Sequence, residues 1–231
     1  VAMLHSYWFI QARKTFEAVL QQDPNCAIAY WGIAVDLLGN TLVGPPPTKS
    51  AQTAWEALEK ARAIGAKTQR ERDWIQALSA YYREHDKVPV DARLIAYNKA
   101  TEQLTQRHPD DFEAWAFYAL TLQASASKAD KTYANQLKSA AILEKLLQRD
   151  PQHPGVAHFL IHAYDYPPLA EKGLAAARRY AGIAPAASHA RHMPSHIYSM
   201  VGLWEESLAS NRFALEIQPD YYHASDFTVY A

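Results

Sequence analysis

A chain of 231 residues with 49% hydrophobic content can bury a substantial core, which excludes disorder, and its length suits one elongated domain or two compact ones. Lys and Arg total 23 against 24 Asp and Glu, a formal charge of −1, so there is no general field for nucleic acid or an anionic membrane and no nucleic-acid partner is expected. The single cysteine, Cys26, excludes an internal disulfide and leaves the compartment open; no run approaches the roughly 18 apolar residues of a membrane span, and the start "VAMLHSYWFI" is too short and interrupted for a secretory signal.

In chain order, helical periodicity predicts helices over residues 1–5, 8–22, 26–39, 50–65, 68–85, 90–107, 111–125, 131–149, 153–165, 168–182, 186–201, 203–217 and 221–231. Strands have no support. The longest proline-rich connection is "GNTLVGPPPTKS", residues 39–50, and Pro194 lies inside the helix predicted over 186–201, where it kinks that helix or starts a new one.

Pro151, Pro185 and Pro219 are spaced by 34 and 34 residues, each after a helical stretch ("AAILEKLLQRDP", "GLAAARRYAGIAP", "ESLASNRFALEIQP") and before another. Pro24 and Pro109 mark the same junction in "EAVLQQDPNCAIAYWGIA" and "TEQLTQRHPDDFEAWAFYAL". Tyr30, Ile33, Ala34 and Leu37 set an aromatic, large apolar and small residues on one first helix, as do Trp115, Tyr118, Ala119 and Leu122; "GLWEESLASNRFALEIQP" supplies Gly202 at a turn, then Ser207 and Ala214. These residues resemble the tetratricopeptide repeat (TPR) over essentially the whole chain, with Tyr180 departing from the small residue at Ala214. The alternation of helices with short breaks predicts an all-α, right-handed superhelical solenoid of TPR-like hairpins, one domain over 1–231. "HSYWFIQARKTFEAVLQQDP" aligns on a second helix and "YYHASDFTVYA" reads as a first helix without a partner, so the chain reads as a fragment that begins and ends mid-repeat. The resemblance further implies a concave groove lined by the first helices, where a peptide or partner protein binds.

"SHARHMPSHIYSM", residues 188–200, crowds three of the ten histidines. Counted from the repeat prolines, His158 and His192 fall at plus seven, and His162 and His196 at plus eleven. At about 100° per residue these stack on one side of a helix, roughly 130° from the packing positions at plus six, nine, ten and thirteen. The histidines are therefore expected to face the groove and not their own hairpin. That face reads Gly155, His158, His162 and Asp165, then His189, His192, His196 and Ser199, then His223, Asp226 and Tyr230. Upstream it reads Ile28, Trp31, Val35 and Leu38, then Glu113, Ala116, Leu120 and Gln123, which makes Trp31 and Tyr230 the expected aromatic partner contacts.

Two histidines four residues apart form a bidentate clip, and two clips on neighbouring helices give four nitrogen ligands. The expected metal ligands are His158, His162, His192 and His196, with Asp165, His189, His223 and Asp226 as additional ligands or outer partners. Imidazole without thiolate suits zinc, copper, iron or nickel. "HFLIH" lacks the glutamate of a metalloprotease helix, and neither a di-iron Glu-x-x-His pair nor a phosphate loop occurs. An open metal position would make a metalloenzyme; the sequence does not separate that from storage or a structural clamp, and names no catalytic residue. The alternative is a metal-free scaffold whose histidines hydrogen-bond a peptide in the same groove. "HPGVAHFLIHAYDYPPLA" and "HARHMPSHIYSMVGLWEE" are also similar to a group of bacterial TPR proteins with such histidine segments, which implies a shared site without naming its chemistry. His5, His85 and His108 are expected to be solvated or capping, and most of the tryptophans to be core.

Overall fold

The computed structural model describes residues 1–221, in two compact units: Val1 with Phe9–Ala129, and Ala2–Trp8 with the chain from Asp130 onward. The chain is helical, with no strand among the described residues, and α1 (Ala2–His5) belongs to the second unit.

The first unit holds α2 (Phe9–Gln22), α3 (Ala27–Leu38), α4 (Thr48–Ile64), α5 (Gln69–Tyr82), α6 (Val90–Arg107) and α7 (Phe112–Ala124), each packed on the next in sequence. Local chemistry sets the ends. Thr68 caps α5 by accepting from the Glu71 amide, while the Glu71 carboxylate accepts from the Thr68 amide, an exchange worth about 1 kcal/mol. Asp111 caps α7 and also accepts two bonds from Arg70, at 2.7 and 2.9 Å, and one from the Trp74 indole, at 3.0 Å.

The core of this unit corrects the expectation for Trp31. Only 4% exposed, it meets Trp74 edge-on with ring centroids 5.2 Å apart and lies 5.9 Å from Phe117. Val35, Leu38, Ala116, Leu120 and Gln123, all predicted on the open face, are buried too. The reason is packing: α5 lies against α3 as well as against α4, so the face left over by one hairpin is covered by the next.

The second unit holds α8 (Ala134–Arg149), α9 (Pro154–Tyr164), α10 (Ala170–Ile183), α11 (Ser188–His192), α12 (Pro194–Met200) and α13 (Trp204–Ile217). Here α9 packs on α8, α10, α12 and α1, while α13 packs on α11 and α12. The helix predicted over 186–201 is two helices. Pro194 takes the first position of α12, where its missing N–H costs nothing, and Met193 joins the two while keeping helical angles of −52° and −35°. Gly202, at φ 80°, makes the turn into α13 in the left-handed region that a side chain disfavours. Phe159, Ile161, Tyr180, Met193 and Ile197 are fully enclosed. Of the six tryptophans only Trp31 and Trp74 are buried, against the expectation that most are core; Trp8 and Trp204 are 39% and 64% exposed.

Candidate functional site

The repeat register puts His158 and His162 one turn apart on α9, His189 and His192 on α11 and His196 on α12. Because α12 packs on α9, the five imidazoles close into a ring: centroid separations run 4.8 Å from His158 to His162, 6.0 Å to His196, 4.8 Å to His192, 6.1 Å to His189 and 4.7 Å back to His158. His158, His189 and His192 are buried, His162 nearly so, and His196 half-buried, its side chain 23% exposed. One ring nitrogen each from His158, His162 and His189 lies within 4.8 Å of the other two, a group able to hold a metal ion.

Hydrogen bonds fix the rings. His158 Nδ1 donates to the His5 carbonyl at 2.6 Å, and His196 Nδ1 donates to Asp165 Oδ2 at 2.7 Å. His192 Nδ1 donates to Asn211 Oδ1 at 2.6 Å, and the Asn211 amide is oriented by its own N–H bond to the Ser207 carbonyl at 2.9 Å. The Tyr221 hydroxyl lies 2.6 Å from His189 Nδ1. Each imidazole of these two pairs then turns Nε2 toward another: His158 to His189 at 2.9 Å and His192 to His196 at 2.9 Å. His162 Nδ1 lies 4.0 Å from Asp165 Oδ2, and its Nε2 is buried without a hydrogen-bond partner among the described residues.

Counting protons separates the two pairs. Tyr221 can donate to His189, His189 Nε2 to His158 Nε2, and His158 Nδ1 to the carbonyl, so that chain closes with every group neutral. The other chain ends on two pure acceptors, an amide oxygen and a carboxylate, so both Nδ1 atoms carry their protons and both Nε2 atoms carry lone pairs. Two lone pairs facing at 2.9 Å repel unless a cation, metal or proton, lies with them.

Burial lowers the basicity of three of the rings. Burial, followed by the charges of neighbouring histidines, pushes His158 down to about 3 despite its hydrogen bond to the His5 carbonyl, and pushes His162 and His189 well below the usual histidine range. Burial works to raise Asp165, but the hydrogen bond from His196 Nδ1, with the electrostatic pull of the His196 and His162 rings, outweighs it and holds the carboxyl below its ordinary value. Tyr7 covers His158 and His189, with centroids at 4.6 and 4.8 Å, and Tyr180 stacks on the other side of His158 at 5.2 Å and 6°.

The structure brings His158, His162, His192 and His196 together and adds His189 to the ring; Asp165 sits against His196. His223, Asp226 and Tyr230 lie outside the described residues. The expectation of an open, outward face is corrected: His158 stacks on Tyr180 and His192 bonds Asn211, each in its own hairpin, and α1 with Tyr7 covers the rest. His5, expected to be solvated, is buried beside His153 and Phe159, its ring so close to Gly155 that a Cβ there would lie 2.4 Å from it. His85 and His108 stand apart from the cluster, at Gln52 and Asp73. Sequence reasoning missed Tyr7, Asn211 and Tyr221. Tyr180 did leave a signal, since a large aromatic occupies a small-residue position of the repeat because it floors His158.

No protein-family model and no curated protein matches the chain. Among solved structures it is similar to TTC0263, a thermophilic TPR protein of Thermus thermophilus, at 13% identity and a TM-score of 0.61, covering 79% of this chain and 90% of that one. It also matches YrrB, described as a TPR protein with an unusual peptide-binding site, at 12% identity and a TM-score of 0.49 over 93% of this chain and 98% of that one. The class is therefore defined at the level of fold: this is an all-α protein of TPR-like helical hairpins. Among the described residues no helix is long and apolar enough to cross a membrane.

Proposed function

We propose that this protein binds a transition metal through the imidazole ring of its second unit, with ligands drawn from His158, His162, His189, His192 and His196. The observation that carries the reading is the His192–His196 pair, whose Nε2 atoms face each other at 2.9 Å while both Nδ1 protons go to acceptors, an arrangement that calls for a cation, metal or proton, beside the triad His158, His162 and His189. Fixing the far nitrogen of a ring on a carbonyl or carboxylate is how proteins orient metal-bound histidine and raise its basicity. The depressed basicity of His158, His162 and His189 adds support, since a ligand must be neutral and a proton competes for the same lone pair. Imidazole donors without thiolate suit zinc, copper, nickel or iron.

The rival reading, a metal-free scaffold gripping a peptide or partner protein with the same histidines, has the enclosure of the cluster against it. A peptide would have to displace Tyr7 and α1 before reaching His158.

The deciding experiment is elemental analysis of protein purified without a histidine tag, followed by a pH series. Bound metal at neutral pH that is released on acidification below the ordinary histidine range near about 6.5 is the expected result, because protons compete for the imidazole nitrogens and the depressed basicity of His158, His162 and His189 moves that competition to lower pH. Protein that takes up no zinc, copper, nickel or iron overturns the reading. Peptide binding that strengthens on acidification, through protonated histidines, would install the scaffold in its place.

A further inference from the structure

We infer that the cluster holds two metal ions, one in the triad His158, His162 and His189 and one at the pair His192 and His196; the inference rests on the metal-binding reading above. Bonds of about 2.0–2.1 Å keep all nitrogens of a single ion within about 4.2 Å of one another. The triad comes close to that limit, with nitrogens mutually within 4.8 Å, and among the described residues His192 and His196 do not join it. They face each other instead, with Nε2 atoms 2.9 Å apart. Ligands with bonds of about 2.05 Å stand about 2.9 Å apart at a right angle and about 3.3 Å apart at the tetrahedral angle, so the pair reaches tetrahedral ligand spacing by opening a few tenths of an ångström. The His158–His189 pair repeats the same 2.9 Å spacing within the triad. Five imidazoles thus divide into two sets, each containing a pair near ligand spacing.

The outer partners divide in the same way. The first set is held by the His5 carbonyl and the Tyr221 hydroxyl, the second by the Asn211 amide and the Asp165 carboxylate. Asp165 joins the sets: its Oδ2 lies 2.7 Å from His196 Nδ1 and 4.0 Å from His162 Nδ1, which places the cluster's negative charge where two neighbouring cations most need it.

The test is stoichiometry. Full-length untagged protein is stripped with a chelator, dialysed to equilibrium against excess Zn2+, or anaerobically against Cu+, and its metal counted. Two equivalents per chain are expected with at least one of the two ions, falling to one in His192→Ala/His196→Ala and to one in His158→Ala/His189→Ala. Circular dichroism checks that each variant stays folded, and His196→Ala and His162→Ala, at the two less enclosed rings, serve if a double variant does not. One equivalent in the wild type, lost in either double variant, overturns the two-ion arrangement and leaves a single shared site. No retained ion in the wild type overturns the metal reading itself. The wild-type count decides between one and two without any variant.

Discussion

Asn211→Ala probes whether the hold on a ring nitrogen matters to the ion or only to the fold. Asn211 is fully buried; its Oδ1 accepts from His192 Nδ1 at 2.6 Å and from the Ser195 hydroxyl at 3.4 Å. Alanine removes this acceptor and both bonds with it. The Ser195 bond is long and its loss small, while a buried N–H deprived of its acceptor costs about 1–3 kcal/mol. The metal-free variant should lose about 2 kcal/mol, which at about 2–4 °C per kcal/mol is a fall in Tm of about 4–8 °C. A second effect should appear only with metal. Losing an outer partner of a ligand weakens binding by about 10–100-fold, so at a fixed free Zn2+ concentration the stabilisation by metal should shrink by about 1.4–2.7 kcal/mol. The assay is thermal unfolding by circular dichroism with and without Zn2+, paired with a competitive Zn2+ titration. Asn211→Asp, which restores an acceptor for His192, should recover most of the metal effect. If Asn211→Ala lowers the metal-free Tm while the increment from Zn2+ stays the same, Asn211 is a structural residue and the reasoning about His192 is wrong.

Gly155→Ala sets two opposed effects against each other: alanine gains about 0.5–1 kcal/mol of helix propensity, while overpacking costs about 1–3 kcal/mol. With the added Cβ 2.4 Å from the His5 ring, overpacking should win and the urea midpoint should fall; a rise would show that α1 yields freely. Acid should destabilise the metal-free protein over a defined window. Unfolded histidines titrate near 6.5 and folded His158 near 3, with His162 and His189 also depressed, so the unfolded state binds more protons: stability is complete above about 6.5 and is lost as pH falls toward 3, by about 1.4 kcal/mol per unit for each histidine still titrating. Asp165, depressed in the fold, removes further stability below about 4 in the same direction; a flat urea midpoint between pH 7.5 and 5 would contradict both burial and neutrality of these rings. Asp111→Ala, which removes the cap of α7 and the partner of Arg70 and Trp74, should cost about 1–3 kcal/mol by urea unfolding and leave the metal count unchanged.

The sequence by itself determined the helices and their pairing, because both are written at short range. An apolar period near 3.6 and prolines at the hairpin junctions mark where a helix begins and ends, and a 34-residue spacing carries His158 and His192, then His162 and His196, to matching places on successive hairpins. A helical wheel says which residues share a side, but not what covers that side. The tertiary structure decided the cover: α5 buries Trp31, and Tyr7 with α1 encloses histidines some 150 positions further on, so that a carbonyl at His5 orients His158 across 153 residues of chain. It also decided the role of His189. Pro194 divides the predicted helix, and the placement of α11 and α12 against α13 and α9 sets His189 facing His158 and His192 facing His196. Those pairings depend on where separate helices come to rest against one another, and no spacing along one helix specifies that.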